Sequence, residues 1–368
     1  MALAIVTLSG HTTIIAAIRK FTALAIVDLT LTCVAIISLF TPAAIADDSR
    51  ATPSPKPVPA VAFSNFDNAL MLAVARAGER LVAVGEHGLV LISDDEGNSW
   101  RQALTGVVDT TLAAVTFVDV THGWIVGREE VILHTDDGGE SWQLQHWNPL
   151  PESGMEGVLL EVLFTTPLRG FAVGANGTLL STHDAGESWQ RTTLLDSEGF
   201  EPHLFDINGD SDSGAFISGE QGSLWRSTDN GATWEQITTP FAGSIFGVVT
   251  VGSRGVLIYA MLGKAFYSPD SGNSWRALET GSRHAWMNAR EWPPGKALLA
   301  GYRGTVGLFD AATETITLLQ QNHRKAIADL IPLSKKRLLL VGQGGAWRTT
   351  ISREPIPANE SANAGEVR

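Results

Sequence analysis

The sequence predicts an all-β protein folded as a seven-bladed β-propeller of four-stranded antiparallel blades, because two patterns repeat along its 368 residues. The first is an eight-letter box ending in tryptophan, such as TDDGGESW at 135–142, which occurs five times and is assigned to blades 1–5. The second is a four-residue turn, usually bounded by glycine, which begins at residues 85, 127, 174, 219, 260, 301 and 342. Short runs rich in β-branched and aromatic residues lie between these markers, as is typical of strands. Four strands in each unit of 41–47 residues, repeated around a ring, are typical of a propeller.

The first element along the chain, residues 1–46, is predicted to be an export signal. Residues 1–18 contain no charged side chain, Arg19 and Lys20 precede an apolar stretch, and Ala44-Ile45-Ala46 stands before Asp47. Small residues at these positions are typical of signal-peptidase cleavage, here between Ala46 and Asp47. The mature chain is therefore expected outside the cytoplasm, in the periplasm. The alternative is an uncleaved membrane anchor, since about 20 apolar residues span a bilayer.

Cys33 is the only cysteine of the chain and lies inside the predicted signal. It lacks the small residue expected just before a lipoprotein cysteine, so lipidation is not expected. Without this segment the protein has no cysteine for a disulfide, a thiol nucleophile or a cysteine metal site.

The remaining elements are a Pro-rich spacer at 47–60, the propeller at 61–354 and a polar tail at 355–368. Units 6 and 7 keep the glycine turn but lack the box. Little chain remains in unit 7 for a fourth strand. The segment VPAVAFS at 58–64 is therefore expected to fill that place and to latch the ring.

Each box is interpreted as the turn between the third and fourth strands of its blade. The aspartate accepts backbone hydrogen bonds from its own turn, the glycine adopts angles that other residues avoid, and the tryptophan packs between blades. A calcium loop is disfavoured, because an EF-hand needs more acids, a distant glutamate and flanking helices. The residues assigned to this structural role are Asp95, Gly97, Trp100, Asp137, Gly139, Trp142, Asp184, Gly186, Trp189, Asp229, Gly231, Trp234, Asp270, Gly272 and Trp275.

The charge and the motifs exclude several classes of function. The net charge of −13, with 39 acidic and 26 basic residues, disfavours nucleic acid as the partner, because phosphate binding needs a basic surface. The nine histidines form no short metal-ligand motif, and no phosphate-binding or dinucleotide-binding glycine loop is present. No metal and no cofactor are predicted, and a monomer is expected.

The box pattern S/T-x-D-x-G-x-S/T-W resembles the Asp-box, or bacterial neuraminidase repeat, which occurs in sialidases, in other glycosidases and in non-enzymatic propellers. Residues 60–350, with seven units and boxes of the DGGESW type, look like the photosystem II stability and assembly factor family. The stretch at 281–306 resembles the arginine-containing stretch of that family, in whose basic patch Arg283 and Arg303 would then lie. The resemblance implies an exported, non-catalytic scaffold, in the periplasm or in a compartment like the thylakoid lumen. Its partner would be a protein, either a membrane protein or its assembly intermediate.

Blade topology indicates where such a partner would bind. In an up-and-down blade, the second-to-third turn and the link to the next blade share one face, opposite the boxes. Basic and aromatic residues at this face of blades 6 and 7 could steer and anchor an acidic partner. The alternative is that they are scattered, solvated side chains paired with nearby acids. The candidate partner-binding residues are Arg283, His284, Trp286, Tyr302, Arg303, Arg324, Lys325 and Arg128.

The alternative function is an extracytoplasmic glycosidase of the sialidase type, or a sugar-binding propeller. A retaining sialidase needs an arginine triad, a tyrosine nucleophile with a glutamate partner, and an acid/base aspartate. Only Tyr259, Tyr267 and Tyr302 are available, and no carboxylate pair is marked as an acid and a base. No catalysis is therefore predicted, although an acidic pair facing the centre beside arginines would favour this alternative.

Overall fold

The computed structural model of the protein describes residues 56–103, 106–149, 157–210 and 214–352. Within these ranges the strands form seven antiparallel sheets, and the innermost strands of neighbouring sheets contact one another in a closed ring. This arrangement confirms the predicted seven-bladed β-propeller. The predicted signal at 1–46 and the tail at 355–368 lie outside the described residues, and the predicted domain boundaries stay predictions.

The blades follow one another in chain order, and each begins with its innermost strand. Blades 1 to 4 consist of β1 (Met71–Ala77), β2 (Arg80–Gly85), β3 (Val90–Ser93), β4 (Arg101–Gln102), β5 (Leu112–Phe117), β6 (Gly123–Gly127), β7 (Ile132–Thr135), β8 (Gln143–His146), β9 (Leu159–Phe164), β10 (Gly170–Gly174), β11 (Thr178–Thr182), β12 (Gln190–Thr193), β13 (Leu204–Asp210), β14 (Gly214–Gly219), β15 (Leu224–Ser227) and β16 (Glu235–Gln236). Blades 5 to 7 consist of β17 (Ile245–Val251), β18 (Gly255–Ala260), β19 (Ala265–Ser268), β20 (Arg276–Ala277), β21 (Trp286–Glu291), β22 (Lys296–Gly301), β23 (Val306–Asp310), β24 (Thr315–Leu319), β25 (Ile327–Pro332), β26 (Arg337–Gly342) and β27 (Gly345–Thr350). Single 3-10 turns connect the second and third strands at Glu86–Gly88, Glu220–Gly222, Met261–Gly263 and Tyr302–Gly304.

The hydrophobic core of the described residues is divided into seven apolar clusters, one at each interface between neighbouring blades. Between blades 1 and 2, Trp142 of the blade 2 box packs with Val82 of β2 and meets Phe117 edge-on at a centroid distance of 6.2 Å. The other box tryptophans occupy the interfaces 7–1, 2–3, 3–4 and 4–5: Trp100, Trp189, Trp234 and Trp275. Each box tryptophan therefore joins its blade to the preceding one.

The box turns are held by hydrogen bonds of their own side chains. In blade 2, Asp137 Oδ1 accepts the Ser141 backbone N–H at 3.0 Å and the Thr135 hydroxyl at 2.8 Å. The same hydroxyl oxygen accepts the backbone N–H of Gly139 at 2.9 Å. Gly139 has a φ of 90°, a left-handed angle that favours glycine. These contacts fix the turn from within and need no bound ion.

The propeller has two distinct faces. On the first, the second-to-third turns lie against the links to the next blade: a Cβ atom built on Gly304 would lie 2.1 Å from the His323 carbonyl oxygen. On the second, the boxes contact the first-to-second turns, as when the Gly138 N–H donates to the Thr121 carbonyl at 2.9 Å. We call these two surfaces the link face and the box face.

Blade 7 has three strands in the described part of the chain, in the order β25-β26-β27. The expectation that residues 58–64 would supply its fourth strand is wrong. The Asp109 N–H donates to the Val58 carbonyl at 2.7 Å, so this segment pairs with the link between blades 1 and 2. The side chain of Gln102 in β4 holds it there, accepting the Phe63 N–H and donating to the Val61 carbonyl, each at 2.9 Å.

Candidate functional site

Basic side chains of blades 6 and 7 are exposed on the link face. Arg283 lies in the link that enters β21, and Arg303 lies in the turn between β22 and β23 with a φ of 56°. Arg324 and Lys325 follow in the link that enters β25. We call these four cations, together with His284 and Tyr302, the blade 6–7 basic surface.

The charges of this surface are not paired with acidic side chains of the described residues. Ion pairs hold most other arginines, namely Arg80 with Asp94, Arg101 with Glu140, Arg191 with Glu130, Arg226 with Glu235, Arg276 with Glu314, Arg290 with Asp329 and Arg337 with Glu96. None of the four cations of the blade 6–7 basic surface forms an ion pair with another described residue. Their positive charge is therefore available to a partner and is not neutralised locally.

An aromatic pair and an exposed leucine border these cations. The rings of His284 and Tyr302 meet edge-on at a centroid distance of 6.3 Å. Burial lowers the pKa of His284, and the neighbouring Arg303 charge lowers it further, so this histidine is neutral at neutral pH. Leu262, in the corresponding turn of blade 5, has a φ of 59° and a side chain 63% exposed. The surface thus combines positive charge with apolar area.

Two of the predicted partner-binding residues do not belong to this surface. Trp286 is 0% exposed, and its indole N–H donates to the Gly263 carbonyl at 3.3 Å. Its interpretation as a surface anchor is wrong, because the ring packs between blades 5 and 6. Arg128 lies in the turn of blade 2, whereas the other candidates lie in blades 6 and 7, so the structure does not place it beside them.

The acidic residues of the link-face turns have structural partners. Glu86 Oε1 accepts the Leu70 N–H at 3.0 Å, and Glu129 Oε2 accepts the Trp147 indole N–H at 2.8 Å. Glu130 is 2% exposed and is bound by the Arg191 guanidinium. These carboxylates therefore join turns to neighbouring strands.

The repeat pattern did not reveal a group of ionisable side chains on the innermost strands. Glu161, Asp206 and Asp329 occupy one register position, opposite Val173, Ser218 and Val341 of the adjoining strands. Ala73, Ala114, Gly247 and Asn288 occupy the same position in the other blades. An acidic residue at the third place of the first strand was the available sequence signal.

Two of these carboxylates are held by neighbouring blades. Asp329 accepts the Arg290 Nε–H at 3.0 Å and the Nη2–H at 2.6 Å, and Arg290 also donates to the Val74 carbonyl at 2.8 Å. Asp206 Oδ2 accepts the Val248 N–H at 2.9 Å and the Tyr259 hydroxyl at 3.1 Å. Both anions thus bridge blades, and Arg290 donates through Nε and Nη2 to acceptors in blades 7 and 1.

Burial disfavours ionisation of two of these carboxyl groups, Glu161 and Asp206. Burial raises the pKa of Glu161 well above its usual value, and the nearby charges of Asp206 and Asp329 add to the increase. Burial raises the pKa of Asp206 to about 6, although its hydrogen bonds with Val248 and Tyr259 favour the anion. Asp206 is therefore mostly ionised at neutral pH, and Glu161 keeps its proton to a higher pH than a solvated carboxyl group does.

Neither metal-binding clusters nor membrane spans are found in the described ranges. No group of three or more His, Cys, Asp or Glu side chains there could hold a metal ion. No helix of the described residues is long and apolar enough to cross a bilayer.

Comparison with known proteins gives one family. The model of the family "Photosynthesis system II assembly factor YCF48" matches residues 104–153 and 144–346, which is more than half of the chain. A "Photosystem II assembly lipoprotein Ycf48" of Synechococcus sp. (strain CC9902) is 25% identical over 238 residues, covering 63% of this chain and 54% of the relative. The protein of the same name from Synechocystis sp. (strain ATCC 27184 / PCC 6803 / Kazusa) is 40% identical over 47 residues, which are 12% of this chain and 14% of that protein. The chain thus spans about half the length, or less, of these curated relatives.

Solved structures share the fold. One described as "YCF48 bound to D1 peptide" has a TM-score of 0.61 at 18% identity, covering 82% of this chain and all of that one. YCF48 from Cyanidioschyzon merolae has a TM-score of 0.61 at 14% identity, covering 80% of this chain and 98% of that one. The WD40 propeller domain of Doa1 has a TM-score of 0.62 at 12% identity, covering 81% of this chain and 97% of that one. At these identities the likeness shows the propeller fold alone.

Proposed function

The chain belongs to the photosynthesis system II assembly factor YCF48 family, and from this premise we propose that it is an exported, non-catalytic scaffold for another protein. It binds that partner through the blade 6–7 basic surface. The partner is an acidic segment of a membrane protein or of its assembly intermediate. A family relative that has been solved with a D1 peptide supports a protein segment as the ligand.

The observation that carries this proposal is the set of four exposed cations without ionic partners among the described residues. On a protein with a net charge of −13, such a cluster is a local exception. It attracts an acidic partner over a distance of about 10 Å at 0.1 M salt. Tyr302 and the exposed Leu262 add apolar contact area next to the charge.

The acidic group on the innermost strands is the observation that favours the glycosidase alternative. A sialidase arginine must be free to bind a substrate carboxylate, but Arg290 is already held by Asp329 and by the Val74 carbonyl. Asp206 is likewise held by Val248 and Tyr259. These contacts support a structural role for the group. Asp206 joins blade 4 to blade 5, and Asp329 joins blade 7 to blades 6 and 1.

Charge reversal tests the proposal. The variant carrying Arg283→Glu and Arg303→Glu should lose partner binding while keeping its thermal midpoint, because both side chains are exposed and lie outside the strands. Arg254→Glu is the matched control, since Arg254 is an exposed arginine in a turn of the box face. Binding is measured as retention of solubilised membrane proteins by the immobilised mature protein, at low and high salt.

The expected result is loss of retention in the double variant, normal retention in Arg254→Glu, and weaker wild-type retention at high salt. Equal retention by both variants, or retention insensitive to salt, would overturn the assignment of the surface. Turnover of a fluorogenic glycoside panel by the pure protein would overturn the non-catalytic assignment.

A further inference from the structure

The outer edge of β27 has no strand partner among the described residues, although Ser352, just beyond the strand, pairs with Gln320 in the link from blade 6. The Ile351 N–H donates to the Lys336 carbonyl, and β27 pairs residue by residue with β26 from there to Gly345. Because hydrogen-bonding direction alternates along an antiparallel ladder, Ala346, Arg348 and Thr350 direct their backbone groups away from β26. A fourth strand covers this side of the third strand in blades 1 to 6, but no described strand does so in blade 7.

An apolar cavity of about 890 Å³ lies beside this edge, between blades 6 and 7. Leu298, Leu308, Leu319 and Ile351 contribute its apolar lining. At five other interfaces the comparable space is filled by a box tryptophan, but blade 7 has no box. The cavity therefore has room for side chains of an added strand.

The rim of the cavity is basic. Lys335 and Lys336 line it, are exposed, and form no ion pair with another described residue. They lie in the turn between β25 and β26, on the box face, away from the blade 6–7 basic surface. This second cationic site thus lies beside an open strand edge and an apolar cavity.

We propose that the β27 edge and this cavity bind an extended, acidic segment of a partner protein as the fourth strand of blade 7. The backbone of the segment pairs with Ala346, Arg348 and Thr350, an aliphatic side chain enters the cavity, and its acidic side chains meet Lys335 and Lys336. Addition of a strand to an exposed sheet edge is an established mode of peptide recognition. The site is separate from the link-face surface of the proposed function.

Composition argues against the protein's own C-terminal residues as the occupant. Residues 353–368, REPIPANESANAGEVR, are rich in Ala, Asn, Glu, Pro and Gly, which are depleted in strands. Pro355 and Pro357 also lack the N–H group that a ladder requires. A partner segment rich in β-branched residues fits the edge better.

The test uses fluorescent six-residue peptides with the mature full-length protein. One peptide alternates glutamate with valine and isoleucine, and its reference carries lysine in place of glutamate. Binding is followed by anisotropy, and hydrogen exchange reports the amides of β27.

Thr350→Pro removes one outward N–H from an exposed residue and leaves the β26 ladder intact, while Thr350→Val keeps that N–H. A second variant carries Lys335→Glu and Lys336→Glu.

The acidic peptide should bind and should slow exchange at Ala346, Arg348 and Thr350. Thr350→Pro and the double lysine reversal should each weaken binding about tenfold, and Thr350→Val should not. The lysine peptide should not bind, and the link-face variant with Arg283→Glu and Arg303→Glu should bind the acidic peptide as the wild type does. Unchanged binding by the link-face variant would show that this site is separate from the surface of the proposed function.

Four results would overturn the proposal. Equal binding of the two peptides, or of wild type and the double lysine variant, would remove the charge recognition. Slow exchange of the β27 amides in the free, dilute protein would assign the edge to its own C-terminal residues. Protection that rises with protein concentration would assign it to a second copy of the chain.

Discussion

Asp329 in β25 accepts the backbone N–H of Val74 in β1 at 2.9 Å, across 255 residues of sequence. Since β1 belongs to blade 1 and β25 to blade 7, this hydrogen bond joins the two ends of the propeller. Asp206 in blade 4 likewise accepts the backbone N–H of Val248 in blade 5, at 2.9 Å. The carboxylates of Asp206 and Asp329 therefore join neighbouring blades, and that of Asp329 closes the ring.

Asp329→Ala should strongly destabilise the protein. The change leaves the Val74 N–H and the Arg290 guanidinium without their acceptor. Loss of one partner of a buried pair costs about 3–5 kcal/mol, and we expect the lower end because Arg290 is 37% exposed. Urea unfolding measures the effect. Asp94→Ala, which removes an ion pair with Arg80 at the surface, should cost about 1 kcal/mol or less. Similar losses in both variants would contradict the closing role of Asp329.

Stability should fall as pH rises from about 4 through 6, because the pKa of Asp206 is raised to about 6 and that of Glu161 is raised well above its usual value. In this window the native state holds protons that the unfolded state has released, so the free energy of unfolding decreases with pH. Below pH 4 the free energy of unfolding instead increases with pH, because hydrogen bonds within the boxes lower the pKa of Asp95, Asp184 and Asp229 to about 2. Urea midpoints between pH 4 and 8 measure the slope.

Glu161→Gln is the variant that tests this explanation of the slope. It removes a carboxyl group whose pKa burial raises well above its usual value, while keeping an amide oxygen that can accept the Val162 N–H, a contact of 3.0 Å in the wild type. The decrease in stability above pH 4 should become shallower. An unchanged slope would mean that other groups cause it.

Changes in a box should weaken folding but leave binding intact. Asp137→Ala removes the acceptor of the Ser141 N–H, and Gly139→Val forces a β-branched residue to a φ of 90° with its Cβ 3.2 Å from Val82. Each should lower the free energy of unfolding by about 1–3 kcal/mol. The measurements are thermal unfolding and partner retention of the folded fraction. A fully stable Asp137→Ala variant that fails to bind would contradict the turn interpretation.

The fold was predictable because its determinants are local and repeated. The turn at Tyr302–Gly304 needs a left-handed angle at two successive positions, and the box needs a glycine with positive φ, so both leave a regular trace in the sequence. Blade 7 was harder to predict, because residues 58–64 have strand composition but their place depends on Gln102 in a distant strand.

The candidate sites were predictable only in part. Arg283 and Arg303 lie in connections, whose face follows from blade topology alone. Trp286 is the first residue of an innermost strand, and its side chain is buried. A shift of the strand by one residue would place that side chain on the opposite face, so sequence alone does not decide whether it is buried. The contact between Asp329 and Val74 joins residues that share no sequence pattern, so no local signal could have indicated it.

The last prediction concerns the N-terminal segment, which lies outside the described residues. The Ala44-Ile45-Ala46 site predicts an exported product that begins at Asp47, whereas the curated relatives are named lipoproteins. A lipoprotein would keep Cys33 as its acylated first residue, but Thr32 stands where a small residue is expected. Intact-mass spectrometry of the exported protein should therefore give the unmodified mass of residues 47–368. Cys33→Ser should leave processing unchanged, whereas Ala46→Leu should block it. A product that starts at Cys33, carries acyl chains and disappears in Cys33→Ser would show that this chain is anchored as its relatives are named to be.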